Sequence, residues 1–537
     1  MGTLSDLPTE ILEQVIVHLN DAMLLRAAQV NQRLNSVALS EFFKRHNVFR
    51  YKSIVVDSPH GETMTTLRAL CMAVWIKHVP LLIFHINPGI PDLFDEVYGL
   101  TVFIDQLEHF GSLDLHIGFG TWREVMPPTS HERMARGQHW RDAFFSLLEI
   151  VLLKGTQRLY ISDRQKMQDY LEMDQDGLPS VLRYGASLRR LGGWIIKKGR
   201  GIVHSAFVRG LDEEVVVYGP RSPRTMIKRW GSNRSTVINA GCITPSVPRV
   251  LGLEQLLLSS PSLISPLFFS RTLSMFRGFA GTLRILSISY ETRDQHRWAT
   301  MLEQIELPRL DYLYCHGIGT HPVDPPMTIT EMIILFISRH PSLTNLEVRN
   351  LPPLLNPPES TPVLPNLRSL IAHATFTKFL LQNPDNCHHL DKLFILPQIP
   401  SDAPHPTSTD YYSEVDTTLS LIASFTPGAI QLQLYITAMP DALNWMNEHI
   451  RLDSTSVLRR LARVRHLTVW VFPSTPRVPE GPLLEVLPGW LALFPSLEVL
   501  YVGVTGTQVF YDEVVGLCPQ LRAFDMGDGK TLPVIRK

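Results

Sequence analysis

A spaced leucine pattern, L-x-x-L-x-L with substitutions, returns along the chain from about residue 250 and restricts what it can fold into. Successive copies lie roughly 23 to 39 residues apart, a period typical of stacked repeats rather than of one closed domain. A single copy cannot bury its own apolar side, so neighbouring copies must pack on one another. The copies are Leu253/Leu256/Leu258, Leu283/Leu286/Ile288, Leu310/Leu313/Cys315, Leu343/Leu346/Val348, Leu367/Leu370/Ala372, Leu390/Leu393/Ile395, Ile430/Leu432/Leu434, Val464/Leu467/Val469, Leu497/Leu500/Val502 and Leu521/Phe524/Met526.

The segment TITEMIILFISRHPSLTNLEV shows what one copy contains. Thr328 and Glu331 have the spacing of a capping box, which starts a helix. Pro341 ends that helix, because proline lacks the backbone donor that a further turn requires. The leucine pattern then predicts a short strand whose alternate residues point into the core. Each copy is therefore expected to be a helix followed by a strand.

The region before residue 250 carries a weaker version of the same alternation. Short apolar runs predict parallel strands, and longer stretches between them have helical periodicity. We expect an α/β region over residues 51–250 that continues into the repeats of residues 251–537. The predicted strands are 53–57, 81–86, 113–119 and 158–162, and the predicted helices are Thr65–Lys77 and Asp142–Lys154.

Residues 1–48 have a different character and predict a small module of three amphipathic helices. Pro8 suits an opening helical turn, and Asp21 and Asn31 stand where helix caps are expected. A unit of about 40 residues is too small to bury much apolar surface by itself. Its surplus apolar residues are expected to face a partner or the rest of the chain.

This module resembles an F-box. The resemblance rests on the Leu7-Pro8 pair, the Glu10-Ile11-Leu12 step that follows it and the Leu24-Leu25 pair. Met23 stands where many F-boxes carry an acidic residue. The resemblance implies docking on an SKP-type adaptor, and through it on a cullin. The adaptor-binding residues carried over are Leu7, Pro8, Ile11, Leu12, Ile16, Leu19, Leu24, Leu25 and Val30.

The repeats resemble the irregular leucine-rich repeats found behind F-boxes, as in fungal-like receptors. The resemblance implies an α/β fold: a three-helix F-box, then an irregular leucine-rich-repeat solenoid with parallel strands on its concave face. Regular repeats place Asn or Cys three residues after the last strand position, whereas Pro261, Thr375 and Gly529 occupy such slots here. The alternative is a non-repetitive α/β domain with leucine-rich strands.

Residues 195–234 break the pattern with nine Lys and Arg residues against three acids. They read as a basic hairpin insertion, with strands at Ile202–Val208 and Val215–Tyr218. Its basic side chains are candidates to receive an acidic or phosphorylated substrate segment. The alternative is a solvated loop whose charges face water. The candidate residues are Arg221, Arg224, Lys228 and Arg229.

The composition excludes several classes of function. Lys and Arg total 50 and Asp and Glu total 51, so no overall field favours nucleic acid or an anionic membrane. Five scattered cysteines suit a reducing compartment, and no apolar run approaches the length of a membrane helix. The acidic residues near the start do not suit a signal peptide. We expect a soluble cytoplasmic or nuclear protein.

Motifs that carry chemistry are missing from the sequence. His388-His389 is the one adjacent histidine pair, and no acid or cysteine beside it completes a set of metal ligands. GDGK at residues 527–530 lacks the glycine spacing of a phosphate loop. We expect no metal, no cofactor and no enzymatic activity.

The sequence therefore supports one functional hypothesis and one alternative. The chain is expected to be the substrate-recognition subunit of an SCF-type E3 ubiquitin ligase, holding a target protein through its repeats. In the alternative, the chain is a non-catalytic leucine-rich-repeat scaffold whose F-box-like helices only cap the solenoid.

Overall fold

The computed structural model of the chain describes residues 7–50, 53–56, 63–86, 90–117, 131–163, 252–259, 261–264, 268–291, 295–318, 329–350, 358, 360–397, 408–425, 428–436, 439–471, 481–503, 508–525 and 532–534. These residues separate into two compact units. The first holds residues 1–108, 115–136 and 163–249, and the second holds residues 109–114, 137–162 and 250–537. The predicted hairpin at 195–234, with Arg221, Arg224, Lys228 and Arg229, lies outside the described residues.

The first unit begins with three helices and continues into a small sheet. Strand β1 pairs antiparallel with β2, and β2 pairs parallel with β3. The elements are α1 (Thr9–Ile16), α2 (Asp21–Ala28), α3 (Gln32–Arg45), β1 (Phe49–Arg50), β2 (Ser53–Val56), α4 (Thr63–Met72), β3 (His78–Ile86) and α5 (Ile90–Gln106). Strand β4 (His109–Ile117) and helix α6 (His131–Leu153) cross the division between the units.

The second unit alternates strands and helices, and its strands lie side by side in chain order. Neighbouring strands from β5 to β15 pair parallel, whereas β16 pairs antiparallel with β15. The result is a long sheet of parallel strands that does not close. Its strands are β5 (Arg158–Asp163), β6 (Gln255–Ser259), β7 (Ile285–Glu291), β8 (Tyr312–Ile318), β9 (Asn345–Arg349), β10 (Ser369–His373), β11 (Lys392–Leu396), β12 (Ile430–Ile436), β13 (Val464–Val471), β14 (Val499–Val502), β15 (Ala523–Asp525) and β16 (Leu532–Pro533).

Helices connect most of these strands, as parallel pairing requires. Shorter 3₁₀ turns add to the helical layer at 261–264, 384–387, 453–455 and 457–460. The helices are α7 (Phe269–Phe279), α8 (Gln295–Gln304), α9 (Ile329–Ser338), α10 (Ala374–Leu381), α11 (Ser408–Phe425), α12 (Met439–Leu452), α13 (Gly481–Leu491) and α14 (Gln508–Leu517).

The leucine pattern forms a continuous ladder through the second unit. Its middle residue pairs in register with the middle residue of the next strand, and every member is at most 1% exposed. Pairing at one position across adjacent strands makes each side chain a packing partner of the next. The middle position of each predicted copy from residue 250 onward is therefore confirmed as a strand residue. The first leucine of most copies, such as Leu343, lies just before its strand, and Met526 lies outside the described residues. The ladder runs Leu159, Leu256, Leu286, Leu313, Leu346, Leu370, Leu393, Leu432, Leu467, Leu500 and Phe524.

A second repeated feature lies just before the strands β6 to β11 and β15. The backbone carbonyl of Glu254 accepts hydrogen bonds from the amides of Arg284 and Ile285, at 2.8 and 3.0 Å. The carbonyl of Arg284 accepts in the same way from Asp311 and Tyr312, at 2.8 and 3.0 Å. At these junctions each helix–strand unit is joined to the next at the start of its strand, because one oxygen accepts from two consecutive amides. The carbonyls that repeat this arrangement are those of Gln157, Asp311, Thr344, Arg368 and Glu498.

Buried polar side chains in the helical layer join neighbouring helix–strand units of the second compact unit. Asn386 is fully buried, and its Oδ1 accepts from the backbone amide of Leu364 at 2.5 Å. Its Nδ2 donates to the carbonyls of Pro362 and Leu380, at 2.9 and 2.8 Å. One amide side chain therefore satisfies three backbone groups from two units, as buried polar groups require.

A buried imidazole makes an equivalent connection one unit earlier. His340 Nε2 accepts from the backbone amide of Leu307 at 2.9 Å, and its Nδ1 lies 2.6 Å from the carbonyl of Phe336. The amide can only donate, so the neutral tautomer with its proton on Nδ1 fits both partners. Protonation would remove the acceptor that Leu307 uses.

The predicted α/β region before residue 250 is confirmed where the structure describes it. The residue ranges of strands β2 to β5 overlap those of the four predicted strands, and the ranges of α4 and α6 overlap those of the two predicted helices. Helix α4 ends at Met72 rather than at Lys77, and there Asn35 Nδ2 donates to the Met72 carbonyl at 3.1 Å.

We expect Asn386→Ala to lower the free energy of unfolding by about 2–4 kcal/mol, because three buried backbone groups lose their partner. Urea unfolding followed by circular dichroism measures the change. Asn366→Ala is the matched control, since the Asn366 amide is exposed and makes one bond, to the Pro341 carbonyl at 3.2 Å. Equal losses in the two variants would contradict the assigned role of Asn386.

We expect stability to fall as the pH drops from 7.5 towards 4.5. Burial lowers the pKa of His340 below its ordinary 6.5 and lowers that of His373 to about 4. As the pH falls, the unfolded chain takes up protons before the folded chain does. The stabilisation present above pH 6.5 is therefore lost towards pH 4, by up to about 1.4 kcal/mol per pH unit for each imidazole. The unfolding temperature should fall more steeply with decreasing pH in the natural chain than in the double variant His340→Gln/His373→Gln. Equal slopes would refute the assignment.

Candidate adaptor-binding site

Asparagine side chains start the second and third helices of the N-terminal module. Asn20 Oδ1 accepts from the backbone amide of Met23 at 2.9 Å, and Asn31 Oδ1 accepts from that of Leu34 at 2.8 Å. The predicted cap at Asn31 is confirmed. The predicted cap at Asp21 is wrong, because Asn20 is the cap and Asp21 is the first residue of α2.

The three helices pack around a small core of their own. Leu12 and Ile16 of α1 are buried, as is Leu24 of α2, although all three were predicted to bind an adaptor. Their side chains have almost no surface to offer in this chain, and they fix the angles between helices. The other buried apolar residues of the module are Ala28, Leu34, Ala38, Leu39, Phe42, Phe43 and Val48.

The remaining predicted residues keep accessible surface. Ile11 is 42% exposed and Val30 is 68% exposed, and Pro8 is also exposed. Leu7, Leu19 and Leu25 are half-buried. Whether all nine contact an adaptor stays a prediction, and the structure separates them into three that hold the module together and six with surface to offer.

Three exposed apolar residues of the module, one of them Val17 at 50%, were not among the predicted adaptor-binding residues. Val15, one turn after Ile11 on α1, is 41% exposed, and Met23 at the start of α2 is 51% exposed. Spacing of four residues places Ile11 and Val15 on the same face of the helix. The helical periodicity of the sequence could have identified them, because it shows which residues share an apolar face. It does not show which of those residues the module buries.

Arg45 at the end of α3 fixes the loop between α1 and α2. Its Nη1 donates to the carbonyl of Leu19 and its Nη2 to that of Val17, both at 2.6 Å. Its Nε donates to Glu41 Oε1 at 2.8 Å, which holds the guanidinium in place. These carbonyls follow α1, where backbone acceptors lack helical partners. The ends of the exposed helices are therefore rigidly placed.

The other side of the module packs on the first sheet unit. Asn35 on α3 is buried, and its Nδ2 donates to the carbonyls of Ala28 and Met72, at 2.9 and 3.1 Å. Phe43 packs edge-on against Phe49 and Trp75, with ring centroids 5.3 and 6.3 Å apart. The module is thus joined to helix α4 and strand β1 through one face, which leaves the face of Ile11 and Val15 outside this contact.

The cysteines of the described segments do not form a reactive site. Burial raises the pKa of Cys71 to about 12 and those of Cys387 and Cys518 to about 11, so these thiols stay protonated. Cys315 is fully buried in β8, and burial raises its pKa as well. Within these same segments, no cluster of three His, Cys, Asp or Glu side chains is placed to hold a metal ion.

The candidate substrate-binding residues of the basic segment belong to the part of the chain that the structure does not describe. Their role stays a prediction. Among the described helices, none is both long enough and apolar enough to cross a membrane.

Comparison with known protein families bears directly on the helical module. Comparison with curated proteins gave no match. The match to a family model covers residues 4–50, which hold α1, α2 and α3 with their exposed apolar face. These residues are similar to the F-box-like family, and this similarity supports an F-box protein.

Proposed function

We propose that this chain is the substrate-recognition subunit of an SCF-type E3 ubiquitin ligase. The F-box-like module binds an SKP-type adaptor and, through it, a cullin, while the following α/β region holds a target protein. The chain performs no bond chemistry of its own and acts by proximity, keeping the target close to the ligase. It works in the cytoplasm or nucleus, and binds neither nucleic acid nor membrane.

The exposed apolar side chains of the module carry the proposal. A module with its own buried core still exposes Ile11, Val15, Met23 and Val30. Apolar patches of this kind mark protein–protein contacts. The F-box-like match over the same residues supports the SKP-type adaptor as the partner, because F-box domains generally bind such adaptors.

The strand–helix units are proposed to be irregular leucine-rich repeats that form a solenoid. The in-register leucine ladder and the doubled carbonyl bonds support this, since both recur from one unit to the next. In such a solenoid the parallel strands line a concave face, and this face is the proposed site for the target. The observed Asn386 and His340 contacts support units held by local hydrogen bonds instead of a regular polar ladder.

We expect Ile11→Ser/Val30→Ser to reduce co-purification of an SKP-type adaptor at least tenfold while leaving thermal unfolding unchanged. Both side chains are exposed, so the variant loses contact area with the partner and no core packing. Val509→Ser on α14 is the matched control, because Val509 is an apolar helical residue that is 74% exposed. Full adaptor binding by the double variant would contradict the proposed docking face.

A second role is favoured by the junction of the module with helix α4. The buried Asn35 contacts and the packing of Phe43 on Trp75 make the module a cap for the first sheet unit. Capping alone is the alternative function, in which the module protects the sheet and binds no adaptor.

We expect Asn35→Ala to lower the free energy of unfolding by about 1–3 kcal/mol, because the Met72 and Ala28 carbonyls lose a buried donor. The same variant should bind the adaptor as the natural chain does at a temperature where both are folded. Chemical unfolding and adaptor co-purification separate the two roles. Destabilisation of Asn35→Ala together with no adaptor binding by the natural chain would favour capping alone.

A further inference from the structure

The face of the sheet opposite the leucine ladder carries an unusual set of side chains on β8 to β12. Residues that alternate with the ladder occupy this outward face, since successive side chains of a strand point to opposite sides. Apart from histidines, its charged residues on these described strands are Glu347, Arg349 and Lys392. Glu347 and Arg349 stand two positions apart in β9.

Glu347 is an acidic side chain buried on this outward face, with 1% of its surface exposed. Its Oε1 accepts from Arg349 Nε, and its Oε2 accepts from the Tyr312 hydroxyl at 2.7 Å. Burial and then the neighbouring carboxylate raise the pKa of Tyr312 well above its ordinary value, so the phenol keeps the proton that it donates. Both carboxylate oxygens of Glu347 are therefore used inside the protein.

Arg349 differs from Glu347 in how much of it is accessible. The Arg349 side chain is 19% exposed, against 2% for that of Glu347. Burial disfavours the charged guanidinium, but the attraction of Glu347 outweighs it, and the pKa of Arg349 is raised. Among the described residues, its Nη1 and Nη2 have no hydrogen-bond partner. Arg349 is thus a fixed cation with two unused donor nitrogens.

Tyr314, which stands opposite Glu347 in the register of β8 and β9, is one of two tyrosines near this cation. The phenols of Tyr314 and Tyr435 lie near enough to Arg349 to act on its pKa. Tyr435 is buried, its hydroxyl accepts from Gln433 Nε2 at 2.7 Å, and its carbonyl accepts from the Tyr411 hydroxyl at 3.2 Å. A rigid cation among aromatic rings has the composition of a binding hot spot, in which Tyr and Arg are enriched.

The contacts of Arg349 indicate which chemical group it could bind. Two terminal guanidinium nitrogens match the two oxygens of a carboxylate, which gives charge-assisted paired hydrogen bonds. The half-buried ring of Tyr314 offers apolar area to the residues beside that carboxylate. The parallel strands set these groups along a line that an extended segment can follow.

We propose that Arg349 on β9, with Tyr314 on the neighbouring strand β8, binds an Asp or Glu side chain of an extended segment of the target protein. This site deepens the proposed function, because it names the chemistry by which the target is recognised. Glu347 and Tyr312 are positioning residues, which hold the guanidinium with its terminal nitrogens free. The basic segment predicted from the sequence is not needed for this contact.

The test selects peptides from a phage-displayed library of random dodecapeptides on the immobilised full-length chain. Enriched peptides are synthesised, and their binding is measured by fluorescence polarisation. We expect the enriched peptides to share an acidic residue and to bind at least tenfold more weakly when that residue becomes its amide. We expect a loss of at least tenfold with Glu347→Gln/Arg349→Gln, which removes both charges and leaves no buried carboxylate unpaired.

Arg368→Gln is the matched control, because Arg368 is an exposed arginine just before β10, and this variant should bind the peptides within twofold of the natural chain. Enrichment of peptides without acidic residues, or binding by the double variant within twofold of the natural chain, would overturn the proposal. Adaptor co-purification is measured on the same proteins. A double variant that binds the adaptor but has lost peptide binding supports the site. Acidic-peptide binding through Arg349 in a natural chain that does not bind the adaptor would overturn only the ligase role.

Discussion

The second unit depends on the in-register burial of one apolar residue from each strand. Leu256, Leu286 and Leu313 each pair with the next member of the ladder, so every side chain is covered from both sides along the sheet. Full burial of one leucine stabilises the fold by about 1.5–3 kcal/mol, and here no unit obtains that gain without its neighbours. This register also brings together the groups that make the other contacts between helix–strand units. These contacts are the packing of the helical layer, the doubled carbonyl bonds and the hydrogen bonds of His340 and Asn386.

Much of this architecture could be predicted from the sequence, because its main signal is local. A leucine that alternates with polar residues, at a fixed distance after a helix and a proline, marks a buried strand position without any knowledge of its neighbours. The residues that bridge units could not be predicted in this way. Asn386 is an unremarkable asparagine until the structure places it between Pro362 and Leu380. Asn20 and Asp21 are both good caps, and only the backbone shows that Asn20 accepts the bond.

The candidate sites show the same limit. The sequence resemblance placed an F-box module at residues 1–48, and the F-box-like match covers residues 4–50, but the resemblance could not separate buried Leu12, Ile16 and Leu24 from exposed Ile11 and Val30. Periodicity assigns residues to a face, whereas burial depends on which helices meet. The Arg349 site was missed altogether. Its signal, an acid and an arginine alternating with the ladder inside one strand, gains meaning only once Tyr312 of the preceding strand is placed beside it.

The doubled carbonyl bond recurs without interruption before the strands β6 to β11, and this regularity affects how such a chain can change in length. Since the carbonyls of Glu254, Arg284 and Asp311 each meet the following unit in the same way, the junctions are interchangeable. A whole helix–strand unit could therefore be duplicated or lost between β6 and β11 without a change in the bonds that its neighbours make at these junctions. The antiparallel strand β16 remains the terminating piece whatever the number of units before it. Such a change would alter the length of the sheet by whole helix–strand units and leave the N-terminal helical module unchanged.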